Sequence, residues 1–221
     1  MIIGARNWQQ MPKLAYTQCW QGKPNSAIEA ILYKHNVASF PDDPSSPLPK
    51  NWLETCGSHS AANCSVAIVA DPSSWLGRFA TPGGQLLRPP DVLTMWMNEP
   101  KNQRILDTSF PAADPMVMDN EYRKEYPLSV KNVFGIDSVY VDQFSFAQAI
   151  QELREGHSIE LGLAIGHFIA AYAYDDSTNE LIYADPADYR HPDGHYADAR
   201  MGIDEYQKTV TPAVVVYRGE L

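Results

Sequence analysis

Cys56, His167 and Asp185 are residue types that together can break amide bonds, and each stands at a defined point in the local pattern. Cys56 lies in ETCGSHSAANC, residues 54–64, where an extended segment meets the first turn of a predicted helix. A helix start carries roughly half a positive charge and free backbone N–H groups, so it favours thiolate over thiol and can stabilise a developing oxyanion. His167 opens GHFIAAYAYDD, residues 166–176, and Asp185 closes the run LIYADP, residues 181–186. Thiol-based hydrolysis needs a thiolate, an imidazole that generates it and protonates the leaving group, and a third group that fixes the tautomer of the ring.

These side chains can meet only if the last third of the chain folds as a hairpin of the right register. Residues 158–163, 167–174 and 180–184 read as strands, with the turn DDSTN at 175–179 and a further strand at AVVVY, 213–217. Ser145 caps a helix over 146–154 that Gly156 stops. If His167 falls opposite residue 185 or 187, His167 and Asp185 share a face of the sheet. A slip of one residue turns Asp185 away and leaves Asp188 as the nearest acid. Strict alternation along this strand places Ile169, Ala171 and Ala173 with His167, and Phe168, Ala170, Tyr172 and Tyr174 on the other side. Both sets are apolar, so the strand is central and buried, where an unpartnered imidazole would be costly.

Upstream, the small residues of 58–69, Ala61, Ala62 and Ala67 among them, predict a buried helix that begins at the cysteine. A helix over about 26–36 precedes the proline-rich loop SFPDDPSSPLPK, which delivers the chain to Asn51, Trp52 and Cys56. Residues 71–128 are rich in Pro and Gly and read as an insertion with one short helix at 91–98, an excursion of the kind that often forms lids or substrate walls rather than scaffold. The order is helices first and an antiparallel sheet later, which is α+β, in one domain spanning 1–221.

CGSHSAAN, then REGHSIELGL, then GHFIAAYAYDD and ADP, resemble the papain-like cysteine peptidases, closest to the branch around the peptidases that process bacteriocin leaders. The resemblance covers 55–69 and 144–186. It implies a papain-like fold in which an N-terminal nucleophile helix packs on a C-terminal antiparallel sheet. It implies Cys56 as nucleophile, His167 as general base and acid, and Asp185 as the orienting residue. Where the family usually places a glutamine that donates to the oxyanion, position 50 is Lys; Asn51 is the neighbouring amide, beside the backbone N–H of Cys56 as donor. The reaction implied is hydrolysis of peptide or amide bonds. The substrates weighed are peptidoglycan stem peptides cut by a bacterial or phage enzyme, and host proteins cut by an effector. Acyl transfer to an amine, in the manner of transglutaminases, and a non-catalytic binding module of the same fold are the alternatives.

Composition narrows the partners. Hydrophobic residues make up 44% of the 221-residue chain and charged residues 20%, which is the balance of a globular protein. A formal charge of −10 with only 17 Lys and Arg is ill suited to nucleic acid or anionic lipid, so neither is expected as a partner. With neither a secretory signal pattern nor an apolar run long enough to span a bilayer, the expectation is synthesis in the cytoplasm without stable membrane insertion, and release by lysis or a non-standard route. Cys19, Cys56 and Cys64 do not form a disulfide framework, since eight helical residues at about 1.5 Å each separate the last two by roughly 12 Å. Neither His59 with Cys56 and Cys64 nor HPDGH at 191–195 completes a metal site, so no metal or cofactor is expected.

Overall fold

The last third of the chain, where apolar residues are densest, builds a sheet. The computed structural model describes residues 1–6, 8–10, 69, 100–109, 122–185 and 198–220, and the elements are numbered within them. They run β1 (Ile2–Gly4), a short 3-10 turn at Trp8–Gln10, α1 (Pro100–Ser109), α2 (Tyr122–Phe134), β2 (Ile136–Val141), α3 (Phe146–Arg154) and β3 (Ser158–Leu163). Then follow β4 (His167–Asp175), β5 (Glu180–Ala184), β6 (Ala199–Gly202), α4 (Ile203–Thr209) and β7 (Val210–Glu220). The strands form one antiparallel sheet in the order β2-β7-β3-β4-β5-β6, with β1 pairing β4 beyond the end of β3. This is the expected α+β, papain-like architecture.

The helix α3 starts and stops where its local residues dictate. The Ser145 hydroxyl accepts from the backbone N–H of Gln148 at 3.2 Å, and the Gln148 side chain accepts from the Ser145 N–H at 2.9 Å, a complete capping box. Gly156, with φ of +89°, takes the left-handed conformation that ends the helix and turns the chain into β3. Phe146, Ala149 and Leu153 lie on one face of α3 and pack on Ile159, Leu161 and Ile169 of the sheet. Each large side chain buried this way stabilises the fold by roughly 1.5–3 kcal/mol. Phe146 also meets Tyr206 of α4 edge-on, with ring centroids 5.4 Å apart.

Three features depart from the expectations. The segment read as a Pro/Gly-rich insertion at about 71–128 contains α1 and the start of α2. In α2 the buried residues Tyr126, Val130 and Phe134 recur every four positions, and this stripe outweighs the ladder donor that Pro127 removes. The strand expected at 213–217 extends over Val210–Glu220, because β7 is paired on both sides, with β2 and with β3. The alternation of β4 breaks at Tyr172: Ala171 and Tyr174 belong to the same core, whereas strict alternation would separate them. The extra residue that a β-bulge inserts is the cause.

Of the predicted helix over 58–69, only Val69 is described; it is helical and fully buried. Its carbonyl oxygen lies 3.8 Å from where a Cβ on Gly219 would stand, which puts this residue against the end of β7. The helices expected at 26–36 and 91–98 lie outside the described residues. Among the described residues, no helix is long and apolar enough to cross a membrane.

Candidate active site

His167 is the first residue of β4 and Asp185 follows directly after β5, so both stand at one end of the sheet. Near the hairpin turn, Ala173 faces Ile182 and Tyr174 faces Leu181. If that pairing ran on unbroken, Asp185 would come opposite Ala170, on the face away from His167. Instead the register shifts by one between Ala171 and Ala173, so that Ala171 faces Tyr183 and Ala170 faces Ala184. Continued by one residue, this pairing sets Asp185 beside Ile169, on the face of His167 and two positions away. The side chains meet there: Nε2 of His167 lies 2.6 Å from Oδ1 of Asp185.

Both groups are largely removed from water, with side-chain exposures of 11% for His167 and 4% for Asp185. A short bond to a carboxylate in such surroundings restricts the ring to one orientation and stabilises the imidazolium when it forms. Nε2 is the ring nitrogen that meets Asp185, and Nδ1 is the other. An imidazole held in this way can serve as a general acid and base. Cys56, Asn51, Lys50 and Asp188 lie outside the described residues, as do Cys19, Cys64, His59, His191 and His195.

The turn between β4 and β5 fixes the hairpin from its far end. Asp175 accepts from the Ser177 hydroxyl at 2.6 Å and from the Ser177 N–H at 3.0 Å, and its other oxygen receives the Arg200 guanidinium at 3.1 Å. These bonds, those of Ser177 first, hold its carboxyl down at about 2. Asp175 is thus the last residue of β4 and anchors the turn, which spans 176–179 and includes Asp176, rather than lying in it as the expected turn at 175–179 has it. Asn179, with φ of 59°, closes the turn through its N–H to the Asp175 carbonyl, and its side chain accepts from the Tyr174 hydroxyl. Desolvation pushes the buried Tyr172 hydroxyl well above the usual tyrosine range, with the nearby Asp198 adding to the effect.

Beside the same end of the sheet a mostly apolar pocket of about 110 Å³ opens between the β3–β4 turn and α4, with Leu163, Ile165 and Met201 in its lining and Lys208 among its polar groups. Leu163 is the strand partner of His167. The pocket was not legible in the sequence, because α4 crosses the sheet from a part of the chain that carries no strong helical signal. Also missed was a second imidazole–carboxylate pair. Nδ1 of His157 lies 2.6 Å from Oε2 of Glu152, and with Glu155 these groups place their ligand-type atoms within 4.8 Å of one another. The spacing in ELREGH was its only signal. The pair closes the turn between α3 and β3.

The antiparallel sheet with helices packed against it fits an α+β, papain-like fold. The sequence pattern of the Peptidase_C39 like family matches residues 48–214, most of the chain. The chain belongs to that family: it is a cysteine peptidase, and its substrates are peptides or proteins. It is similar to the crystal structure of the peptidase domain of Streptococcus mutans ComA, with 13% identity and a TM-score of 0.35 over 58% of this chain and 88% of that one. Curated proteins provide no match to the sequence.

Proposed function

We propose that Cys56, His167 and Asp185 form the catalytic triad of this cysteine peptidase and that its substrates are the stem peptides of peptidoglycan, cut by an enzyme of bacterial or phage origin. The observation that carries the triad is the 2.6 Å bond between Nε2 of His167 and Oδ1 of Asp185 on a buried strand end. In the proposed reaction the imidazole takes the proton of the Cys56 thiol through Nδ1. The thiolate attacks the scissile carbonyl, and the oxyanion is met by the backbone N–H of Cys56 and the Asn51 side chain. The imidazolium then protonates the leaving amine, and water, deprotonated by the same ring, releases the acid product. The pocket beside Leu163 offers a seat for an apolar substrate side chain next to the reacting centre. Because β1 and β7 belong to one sheet, we read residues 1–221 as a single domain.

The substrate class is tested directly. Purified protein is incubated with cell walls and, separately, with a general protein substrate, each with Cys56→Ala as control. Release of stem-peptide fragments by the parent alone supports the reading. Cleavage of the protein substrate alone points to an effector-type protease, and transfer to an added amine to an acyltransferase. Activity that survives in Cys56→Ala overturns the triad.

A further inference from the structure

The bulge that brings Asp185 to His167 is gripped from outside the hairpin. Up to Ala171, β4 is paired with β3; from Ala173 on, the same edge is paired with β1, and Tyr172 is the extra residue between the two partners. The Ala5 N–H donates to the Tyr172 carbonyl at 2.8 Å, and the next N–H, that of Arg6, donates to the Gly156 carbonyl at 2.8 Å. The chain after β1 therefore bridges the gap left where β3 begins. Gly4 lies flush against the bulge: a Cβ there would stand 2.5 Å from the Tyr172 carbonyl oxygen, 2.9 Å from the Ala173 Cβ and 2.9 Å from the Trp8 ring. It is this close approach, rather than an unusual φ, that calls for glycine. Bulged residues sit outside the regular ladder, and a carbonyl left without a donor at such a buried point would be costly.

We propose that Gly4 and Ala5 are positioning residues for the acid–base pair: their contact with the Tyr172 carbonyl holds the bulge, and the bulge sets Asp185 on the face of His167. The inference rests on the reading of His167 and Asp185 as the catalytic pair. The clamp comes from residues outside the matched stretch 48–214, so it belongs to this chain's own N-terminal segment. It differs from mere reinforcement of the sheet in one respect. Loosening β1 at Gly4 uncouples the imidazole from its carboxylate, whereas loosening it at Ile3, which pairs with Tyr174 and packs on the core beyond the bulge, does not.

The test compares full-length Gly4→Ala with Ile3→Ala by thermal unfolding, steady-state kinetics and proton NMR of ¹⁵N-histidine protein. The signal followed is the Nε2–H of His167, assigned by its loss in Asp185→Ala. Gly4→Ala is expected to move that resonance upfield and to lower kcat about tenfold with little change in KM. Ile3→Ala is expected to lower the Tm and leave the resonance in place. Should Gly4→Ala not fold, Ala5→Pro, which removes the N–H donated to Tyr172, is read in the same way. An unmoved resonance in a folded Gly4→Ala or Ala5→Pro, an equal shift in Ile3→Ala, or failure of both clamp variants to fold would overturn the proposal. The resonance reports the pair whether or not peptides are cut, so survival of activity in His167→Ala would sink the catalytic reading separately.

Discussion

Asp185 reaches His167 at 2.6 Å because β4 carries one residue more than β5 between Ala171 and Ala173. An unbroken ladder would leave the two side chains on opposite faces of the sheet. The parity of a single residue thus decides whether the imidazole has a carboxylate partner.

Removing that partner separates charge from geometry. Asp185→Ala is expected to lower kcat about 100-fold or more, since the ring loses both its orientation and the stabilisation of its cationic form. Asp185→Asn keeps an oxygen that can accept from Nε2–H, and a smaller loss is expected. Steady-state kinetics on folded protein, checked by circular dichroism, distinguish the two; equal activity in Asp185→Ala and parent would exclude the orienting role.

Away from the site, Ser145 tests how local sequence sets the scaffold. Its hydroxyl and the Gln148 side chain satisfy each other's backbone donors at the start of α3. Ser145→Ala is expected to lower the unfolding free energy by about 0.5–2 kcal/mol in a denaturant titration, with activity per folded molecule unchanged.

Asp175 sets a pH dependence. Its carboxyl is held at about 2, below its ordinary 3.8, by Ser177 and Arg200. A depressed carboxylate contributes stability that is present above the ordinary value and is lost as the pH falls through the folded one. Asp175→Ala is therefore expected to unfold at a lower Tm than the parent near neutral pH, and the gap should narrow as the pH falls from about 4 towards about 2. A gap that stays constant over that range would show that the ionised form is not what holds the turn.

Much of this was legible in the residues themselves, and the reasons for the rest are physical. The helix over 146–154, its Ser145 cap, its Gly156 stop and the strands at 158–163 and 180–184 follow from local signals, and the structure has them at those residues. The register of β4 with β5 was open, because a bulge depends on what packs beside the strand. Here that is Gly4 and Ala5, far away in sequence. Strand β1 spans three residues and β6 four, too short for a period to show. The helix α2 was hidden behind Pro127, although its apolar spacing was present. The His167–Asp185 pairing could be posed from sequence only as one of two registers, with Asp188 as the alternative acid.

The most direct test of catalysis by Cys56, His167 and Asp185 needs no substrate. Parent and His167→Ala are labelled with iodoacetamide at about pH 6.5, where an ordinary thiol is mostly protonated, and the rates at Cys19, Cys56 and Cys64 are read by peptide mass spectrometry. Cys56 is expected to label fastest in the parent and about tenfold or more slower in His167→Ala, with the other two cysteines unchanged. A Cys56 rate no higher than those of Cys19 and Cys64, or one indifferent to the loss of His167, would contradict the triad.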